Sequence, residues 1–284
     1  MDAGRRGARR NLIVDAGDGL ALNVRVSGDG PPLMVLHGFT GSIKTWDDLQ
    51  SRIGARCMMI AVDLPGHGMS TSPLRAGRYD LDRLSDDLER VMDSIQIDRA
   101  GILGYSMGGR AALRMALNKP ERVAGLILES ASPGIESDAE REARRRSDNE
   151  LAEFIEREGM EAFVSRWETL SLWETQQSLR VEVREALRRQ RLAGSPAGFA
   201  GSLRGAGQGA GESVAPRLKD IEAPSLLIAG ELDRKYTQIM RAMHAAMSDS
   251  RMVIVKGAGH AVHLERPEEF AAAVRDFVDE VNRV

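Results

Sequence analysis

Residues 104–109 read Gly-Tyr-Ser-Met-Gly-Gly, directly after a short apolar run at 100–103 and directly before a helix-like stretch at 110–117. The pattern Gly-x-Ser-x-Gly between a strand and a helix predicts a sharp turn that exposes the hydroxyl of Ser106. The glycines on either side let the neighbouring backbone approach without a clash at Cβ. From these six residues alone, a glycine-rich turn whose serine has no catalytic role is as well supported as a turn that carries a nucleophilic serine.

The rest of the chain alternates strand-like and helix-like segments on both sides of this turn. Short continuous apolar runs are typical of strands that are buried on both faces of a parallel sheet. They occur at 33–36, 57–62, 123–128, 225–229 and 252–255. The runs at 12–14 and 20–26 flank a turn of glycine and aspartate, which predicts an antiparallel hairpin at the sheet edge. The sequence therefore predicts an α/β fold with a mostly parallel central sheet and helices on both faces.

One long segment, residues 136–205, interrupts this alternation. It contains no run typical of a buried strand, and its pattern is helical and highly charged. We interpret it as a helical cap above the sheet, which divides the chain into a core part at 1–135, the cap at 136–205 and a second core part at 206–284. Trp167 and Trp173 lie in the cap, either in its own core or in the roof of a pocket.

Composition and charge exclude several classes of protein. With 284 residues and a net charge of −3, the chain has no basic surplus of the kind that nucleic-acid binding requires. No apolar run approaches the roughly 18 residues of a membrane span, so we expect no stable membrane association. The basic segment at 1–10 is not followed by a long apolar stretch, which predicts a frayed, solvated tail rather than a secretory signal. We expect a cytoplasmic protein whose single cysteine, Cys57, packs in the core.

Three polar residues each follow a predicted strand, in the chain order Ser106, Asp233, His260. An activated serine needs a base that accepts its proton and an acid that orients the base. Because the carboxyl ends of parallel strands meet at one edge of a sheet, we expect these three side chains to converge. Glu231 is the competing acid but lies closer to its strand, and we assign His263 to loop packing or to the pocket edge.

Two backbone amides are candidates for an oxyanion hole. Phe39 lies in a glycine-flanked turn after a core strand, and Met107 directly follows the serine. Such N–H groups stabilise negative charge that develops near the serine. We expect His37 to hold its loop together rather than act as a base. The five histidines are spread over separate motifs without neighbouring cysteines or paired carboxylates, so the sequence predicts no metal site.

Over its whole length the sequence resembles the α/β-hydrolase superfamily, whose blocks His-Gly-Phe, Asp-Leu-Pro-Gly-His-Gly, Gly-Tyr-Ser-Met-Gly-Gly and Gly-x-Gly-His occur here in order. More narrowly, it resembles the MenH family, the 2-succinyl-6-hydroxy-2,4-cyclohexadiene-1-carboxylate synthases of menaquinone biosynthesis. The narrower resemblance rests on core residues 36–42, 104–110 and 128–134 and on cap residues 140–144, 167–168, 186–188 and 202–205. Matches inside the variable cap make it specific.

The resemblance to the MenH family implies a lyase that eliminates pyruvate from 2-succinyl-5-enolpyruvyl-6-hydroxy-3-cyclohexene-1-carboxylate, a small molecule with three carboxylates. The residues that the resemblance assigns to the substrate are Arg110, Arg144 and Arg188 for the carboxylates, and Tyr105 and Trp167 for the pocket lining. It also implies that Ser106, deprotonated by His260, acts as a base on the proton α to the succinyl ketone and forms no acyl-enzyme. No metal or organic cofactor is expected.

Two other functions stay open on the sequence. A serine hydrolase, such as a carboxylesterase, a thioesterase or a C–C hydrolase, would use the same triad, and only the arginines of the cap argue against it. A ligand-binding protein that keeps the fold as a receptor is disfavoured by the intact triad and oxyanion turn. A dehalogenase is disfavoured because its nucleophile would be an aspartate in place of Ser106.

Overall fold

The computed structural model describes residues 7–282, in which one eight-stranded sheet carries helices on both faces. The strands are β1 (Gly7–Gly17), β2 (Leu20–Gly28), β3 (Pro32–Leu36), β4 (Met58–Val62), β5 (Ala100–Tyr105), β6 (Val123–Glu129), β7 (Ser225–Gly230) and β8 (Ser250–Val255). Their order across the sheet is β1-β2-β4-β3-β5-β6-β7-β8. Strand β2 pairs antiparallel with β1 and β4, and the other neighbouring pairs are parallel, as predicted.

Helices cover both faces of this sheet and also form the cap above it. They are α1 (Asp47–Ile53), α2 (Leu81–Ser94), α3 (Met107–Asn118), α4 (Asp138–Trp167), α5 (Val181–Leu192), α6 (Pro196–Ala206), α7 (Arg234–Ala246), α8 (Val262–Glu265) and α9 (Pro267–Val281). Helices α2, α3 and α7 pack on one face, and α1, α8 and α9 on the other. In α2, for example, Leu84, Leu88 and Val91 recur at helical spacing and are buried. None of the helices within residues 7–282 is long and apolar enough to cross a membrane.

The first strand begins earlier than the sequence predicts. Residues 7–10 belong to β1, in which Gly7 pairs with Gly28 and Arg10 pairs with Val26, so the predicted frayed tail is wrong for these residues. Residues 1–6 lie outside the described part of the chain. Main-chain pairing with β2 does not depend on side chains, and charged residues are common on edge strands because they face solvent there.

The chain between β6 and β7 carries α4, α5, α6 and a 3₁₀ segment at Ser171–Ser178, and no strand. This cap has a small core of its own, to which Ile155, Phe163 and Phe199 belong. Phe39, from the loop after β3, packs on the cap core and so connects the cap to the sheet; its ring centroid lies 5.2 Å from that of Phe199. The boundaries at 136 and 205 stay a prediction.

Two buried histidines hold the loops below the cap. His37 Nδ1 donates to the carbonyl of Gly38 (2.8 Å), and its Nε2 accepts the N–H of Leu64 (3.0 Å), so His37 connects two loops. The His67 ring lies 5.1 Å from that of His37, and His67 Nδ1 donates to the carbonyl of Pro65 (3.0 Å). Burial disfavours the charged imidazolium, which lowers the pKa of His37 to about 4 and the pKa of His67 to about 3.

We expect these histidines to make the fold sensitive to acid. Both are neutral when folded and bind a proton near pH 6.5 when unfolded, so between about pH 6.5 and about pH 4 the unfolded state holds more protons. In that window each histidine lowers the free energy of unfolding by about 1.4 kcal/mol per pH unit as the pH falls. Urea unfolding from neutral pH downward measures this slope, which we expect to become shallower in His67→Gln. Equal slopes in wild type and His67→Gln would disprove the assignment.

Candidate active site

Ser106 lies at the turn between β5 and α3 with φ of 51° and ψ of −105°, a positive-φ conformation that side-chain-bearing residues rarely adopt. The turn requires glycine on both sides of the serine. A Cβ on Gly104 would lie 2.3 Å from the carbonyl oxygen of Gly108, and a Cβ on Gly108 would lie 2.2 Å from the carbonyl oxygen of Leu36. The structure thus has the sharp turn that the sequence predicts, with a half-buried serine at its tip.

Ser106, His260 and Asp233 form a chain of hydrogen bonds. His260 Nε2 lies 3.1 Å from Ser106 Oγ, and His260 Nδ1 lies 2.6 Å from Asp233 Oδ2. An ionised carboxylate can only accept, so Nδ1 carries the proton and Nε2 is free to accept the proton of the serine hydroxyl. The second oxygen of Asp233 accepts the N–H of Tyr236 (3.2 Å), which orients the carboxylate. Glu231, the competing acid, is exposed and accepts a backbone N–H of the loop after β8 instead.

The loop that carries His260 is held by two buried carboxylates. Glu265 accepts the backbone N–H groups on either side of His260, at 2.7 and 3.4 Å. Glu129, at the end of β6, accepts the N–H of His263 and its Nδ1–H, both at 2.9 Å. The main-chain oxygen of Glu129 also accepts the N–H of Ser106 (2.8 Å). These bonds fix the histidine loop relative to the serine turn, and His263 serves packing rather than the cavity.

The two predicted oxyanion amides lie close to the serine. Within residues 7–282 neither the N–H of Phe39 nor that of Met107 donates a hydrogen bond. Met107 is the first residue of α3, where free N–H groups and the helix dipole favour negative charge. The Phe39 loop passes beside the serine, because a Cβ on Gly38 would lie 3.5 Å from Cβ of Ser106. Both amides are available to an oxyanion, and that role stays a prediction.

A cavity of about 490 Å³ lies between the cap and the carboxyl ends of the strands. Cap and core residues both form its wall. The predicted site residues that line it are Ser106, His260, Asp233, Phe39, Met107, Tyr105, Trp167, Arg110 and Arg144. Its volume is in the range of cavities that hold a small organic ligand.

Arg110 lies in the first turn of α3, next to Ser106. Its guanidinium donates to the carbonyl oxygens of Gly207 (3.0 Å) and Ala206 at the end of α6. It has no carboxylate partner among residues 7–282. Burial lowers the pKa of Arg110 to about 10, so the side chain is still charged at neutral pH. The cavity wall therefore carries a cation that forms no ion pair within the described part of the chain.

Arg144 projects from α4 into the same wall. Its Nε donates to Asp148 Oδ1 (2.7 Å), and its Nη1 donates to Gln208 Oε1 (3.0 Å). The amide nitrogen of Gln208 in turn donates to the hydroxyl of Tyr236 (2.7 Å). The Tyr236 ring lies edge-on to the His260 ring, with centroids 4.4 Å apart. Two hydrogen bonds and one aromatic ring contact thus link the cap arginine to the histidine of the triad.

Arg188 does not line this cavity. Its Nη1 donates to Glu168 Oε2 (2.6 Å), and both residues line a neighbouring cavity of about 330 Å³. Arg191, which is buried, donates to the other oxygen of Glu168 (3.0 Å). Trp173 lines both cavities and forms the wall between them. The structure therefore does not bring Arg188 to the other predicted site residues.

The two predicted aromatic residues do line the main cavity. The Tyr105 ring lies 5.5 Å from the His260 ring, and burial raises the pKa of Tyr105 well above its usual value, so its phenol is neutral. The Trp167 ring packs edge-on against Phe39 at 5.4 Å. Both side chains are placed to contact a ligand beside Ser106.

Sequence reasoning missed several residues of the cavity wall. They include Thr175, Ser202, Gln208, Lys235 and Tyr236. Trp173 also lines the cavity, which is one of the two positions that the sequence left open for it. Lys235 and Tyr236 lie two and three residues after Asp233, close to the end of a strand, and that position was a usable signal. No feature of the sequence indicated that Gln208 lines the cavity. No group of three or more His, Cys, Asp or Glu side chains in the described ranges could hold a metal ion.

Comparison with known proteins identifies the family. The family model of the α/β hydrolase fold matches residues 31–267. The putative 2-succinyl-6-hydroxy-2,4-cyclohexadiene-1-carboxylate synthase of Bacillus subtilis is 39% identical over 260 residues, which cover 90% of this chain and 94% of that protein. The synthase of Serratia proteamaculans is 31% identical and covers 88% of this chain and 94% of its own length. The structure of MenH from S. aureus is 34% identical with a TM-score of 0.88, covering 91% of this chain and 98% of that one. The chain therefore belongs to the α/β-hydrolase fold family and, within it, to the 2-succinyl-6-hydroxy-2,4-cyclohexadiene-1-carboxylate synthases.

Proposed function

We propose that this protein eliminates pyruvate from 2-succinyl-5-enolpyruvyl-6-hydroxy-3-cyclohexene-1-carboxylate and forms 2-succinyl-6-hydroxy-2,4-cyclohexadiene-1-carboxylate, a step of menaquinone biosynthesis. The observation that carries the proposal is the composition of the cavity wall. The hydrogen-bonded triad Ser106–His260–Asp233 lines the same cavity as Arg110 and Arg144. Fixed guanidinium groups suit a polycarboxylate because each can bind a carboxylate through two parallel N–H groups. The names of the relatives from B. subtilis and S. proteamaculans agree with this product.

The first step is a proton transfer within the triad. His260 Nε2 accepts the hydroxyl proton of Ser106, across a distance of 3.1 Å, while Asp233 stabilises the imidazolium that forms. The serine oxygen then removes the ring proton α to the succinyl ketone. Negative charge develops on the ketone oxygen, where the N–H groups of Phe39 and Met107 stabilise it. Ser106 acts as a base and forms no bond to carbon.

The second step expels the leaving group. The electron pair of the broken C–H bond forms a ring double bond, the existing ring double bond shifts by one position, and the C–O bond to enolpyruvate breaks. The proton held by His260 passes to the leaving group, which becomes pyruvate by tautomerisation. Substrate is converted to diene and pyruvate without consumption of water. Neither a metal nor an organic cofactor is needed for these transfers.

The proposal also concerns partners and location. The ligand is a small tricarboxylate, and we propose a cytoplasmic enzyme that requires neither nucleic acid nor a membrane partner. The net charge of −3 supports the absence of a nucleic-acid partner, since the chain carries no surplus of positive charge that would attract a polyanion.

Replacing Arg110 with methionine tests whether this arginine binds a carboxylate of the proposed substrate. We expect pyruvate release from the enolpyruvyl substrate, generated in the assay, to show a KM raised by roughly tenfold or more, because a charge-assisted hydrogen bond to a carboxylate is lost. Arg114→Met, one turn further along α3 and outside the main cavity, is the matched control. Cleavage of simple esters by wild type, without pyruvate release above the spontaneous rate, would instead identify a serine hydrolase.

A further inference from the structure

The proposed substrate has three carboxylates, and the main cavity has to match three negative charges. Arg110 and Arg144 supply two cations to its wall. Arg188 does not line the main cavity: it lies in the neighbouring one, where it pairs with Glu168 at 2.6 Å. One carboxylate of the substrate is thus left without a cation from the predicted set.

Lys235 is the remaining cation of the cavity wall. It is the second residue of α7, two positions after Asp233, and it lines the same cavity as Ser106. No carboxylate of residues 7–282 lies within salt-bridge distance of its ammonium group. The ring of Tyr236 lies nearby, with its centroid 5.9 Å from Lys235 Nζ. Arg144 differs in this respect, since it pairs with Asp148 at 2.7 Å.

The surroundings of Lys235 offer a second donor to the same ligand. The hydroxyl oxygen of Tyr236 accepts a hydrogen bond from Gln208, whose orientation is set because its carbonyl oxygen accepts from Arg144. The hydroxyl hydrogen of Tyr236 has no acceptor within the described residues and is free to donate. Burial raises the pKa of Tyr236, so this hydrogen is present at neutral pH.

We infer that Lys235, rather than Arg188, is the third cation that binds a carboxylate of the substrate, with the Tyr236 hydroxyl as a supporting donor. This inference rests on the proposed function, because it uses the three carboxylates of that substrate. The position also suits a flexible ammonium group: Lys235 is exposed at the rim of the cavity, where it can meet an anion as it enters.

Steady-state pyruvate release by four variants tests the inference. In Lys235→Met we expect KM to rise roughly tenfold with kcat changed by less than about twofold, since binding rather than chemistry is affected. Lys235→Arg, which keeps the charge, restores most of the loss. Arg234→Met, at the neighbouring exposed residue outside the cavity, is the matched control. Arg188→Met is expected to raise KM less than Lys235→Met does.

Calorimetric titration with propane-1,2,3-tricarboxylate provides a readout that does not require turnover. Weaker binding of this tricarboxylate by Lys235→Met than by Arg234→Met would support the inference. If wild type bound the tricarboxylate but released no pyruvate, only the proposed function would be refuted. Equal affinities of these two variants, or a larger KM effect in Arg188→Met than in Lys235→Met, would overturn the inference.

Discussion

Ser106→Ala is expected to reduce pyruvate release by about 10³-fold or more, because the substitution removes the only atom that takes the substrate proton in the proposed reaction. The turn itself should persist, since the close backbone contacts of Gly104 and Gly108 do not involve the serine oxygen. Substrate binding should also persist, because the arginines of the cavity are untouched. The rate constant under saturating substrate is therefore the quantity to measure.

Ser130→Ala is a matched control for that variant. Ser130 follows β6, the neighbouring strand, has a similar φ of 46°, and buries a hydroxyl without a hydrogen-bond partner. It does not line the main cavity. If Ser106→Ala kept more than about a tenth of the wild-type rate, Ser106 would not be the base of the reaction.

Asp233→Asn is expected to lower the rate by about 10³- to 10⁴-fold. An asparagine amide can donate to His260 Nδ1, which moves the imidazole proton to Nε2. The imidazole then cannot accept the proton of Ser106, although its position 3.1 Å from the hydroxyl is unchanged. Pyruvate release over a range of pH measures this loss.

Glu231→Gln distinguishes the two acids of the same loop. Glu231 is exposed and bonds a backbone N–H, whereas the Asp233 carboxylate lies 2.6 Å from His260 Nδ1. We expect the Glu231 variant to keep activity within about twofold of wild type. A greater loss in Glu231→Gln than in Asp233→Asn would transfer the orienting role to Glu231.

The sheet and the triad geometry could be predicted because their signals are local. Buried parallel strands appear as continuous apolar runs, and the glycines at 104 and 108 are required by the close backbone contacts of one turn. Since the carboxyl ends of parallel strands meet at one edge, strand order along the chain was enough to bring Asp233 and His260 to Ser106. The strand at 7–10 was missed because its pairing is carried by the main chain of an edge strand.

The pattern of residues alone could not predict the cap side of the cavity, because it depends on how helices pack; the family resemblance supplied Arg144 and Trp167, which do line it. Gln208 lies in a glycine-rich stretch that, from sequence alone, predicts only a flexible return to the core. In the structure it bridges Arg144 and Tyr236. Arg188 shows the converse problem: a family motif assigns it to the substrate, but packing of α5 places it against Glu168 on the far side of Trp173.

The mass of the ring product tests the central claim most directly, namely that Ser106 and His260 carry out an elimination and not a hydrolysis. Wild-type protein is incubated with the enolpyruvyl substrate, the products are separated, and their masses are determined by mass spectrometry. The account predicts one pyruvate for each ring product, whose mass equals that of the substrate minus pyruvate. A ring product heavier by one water would show that a water molecule had entered the reaction, and would contradict the lyase assignment.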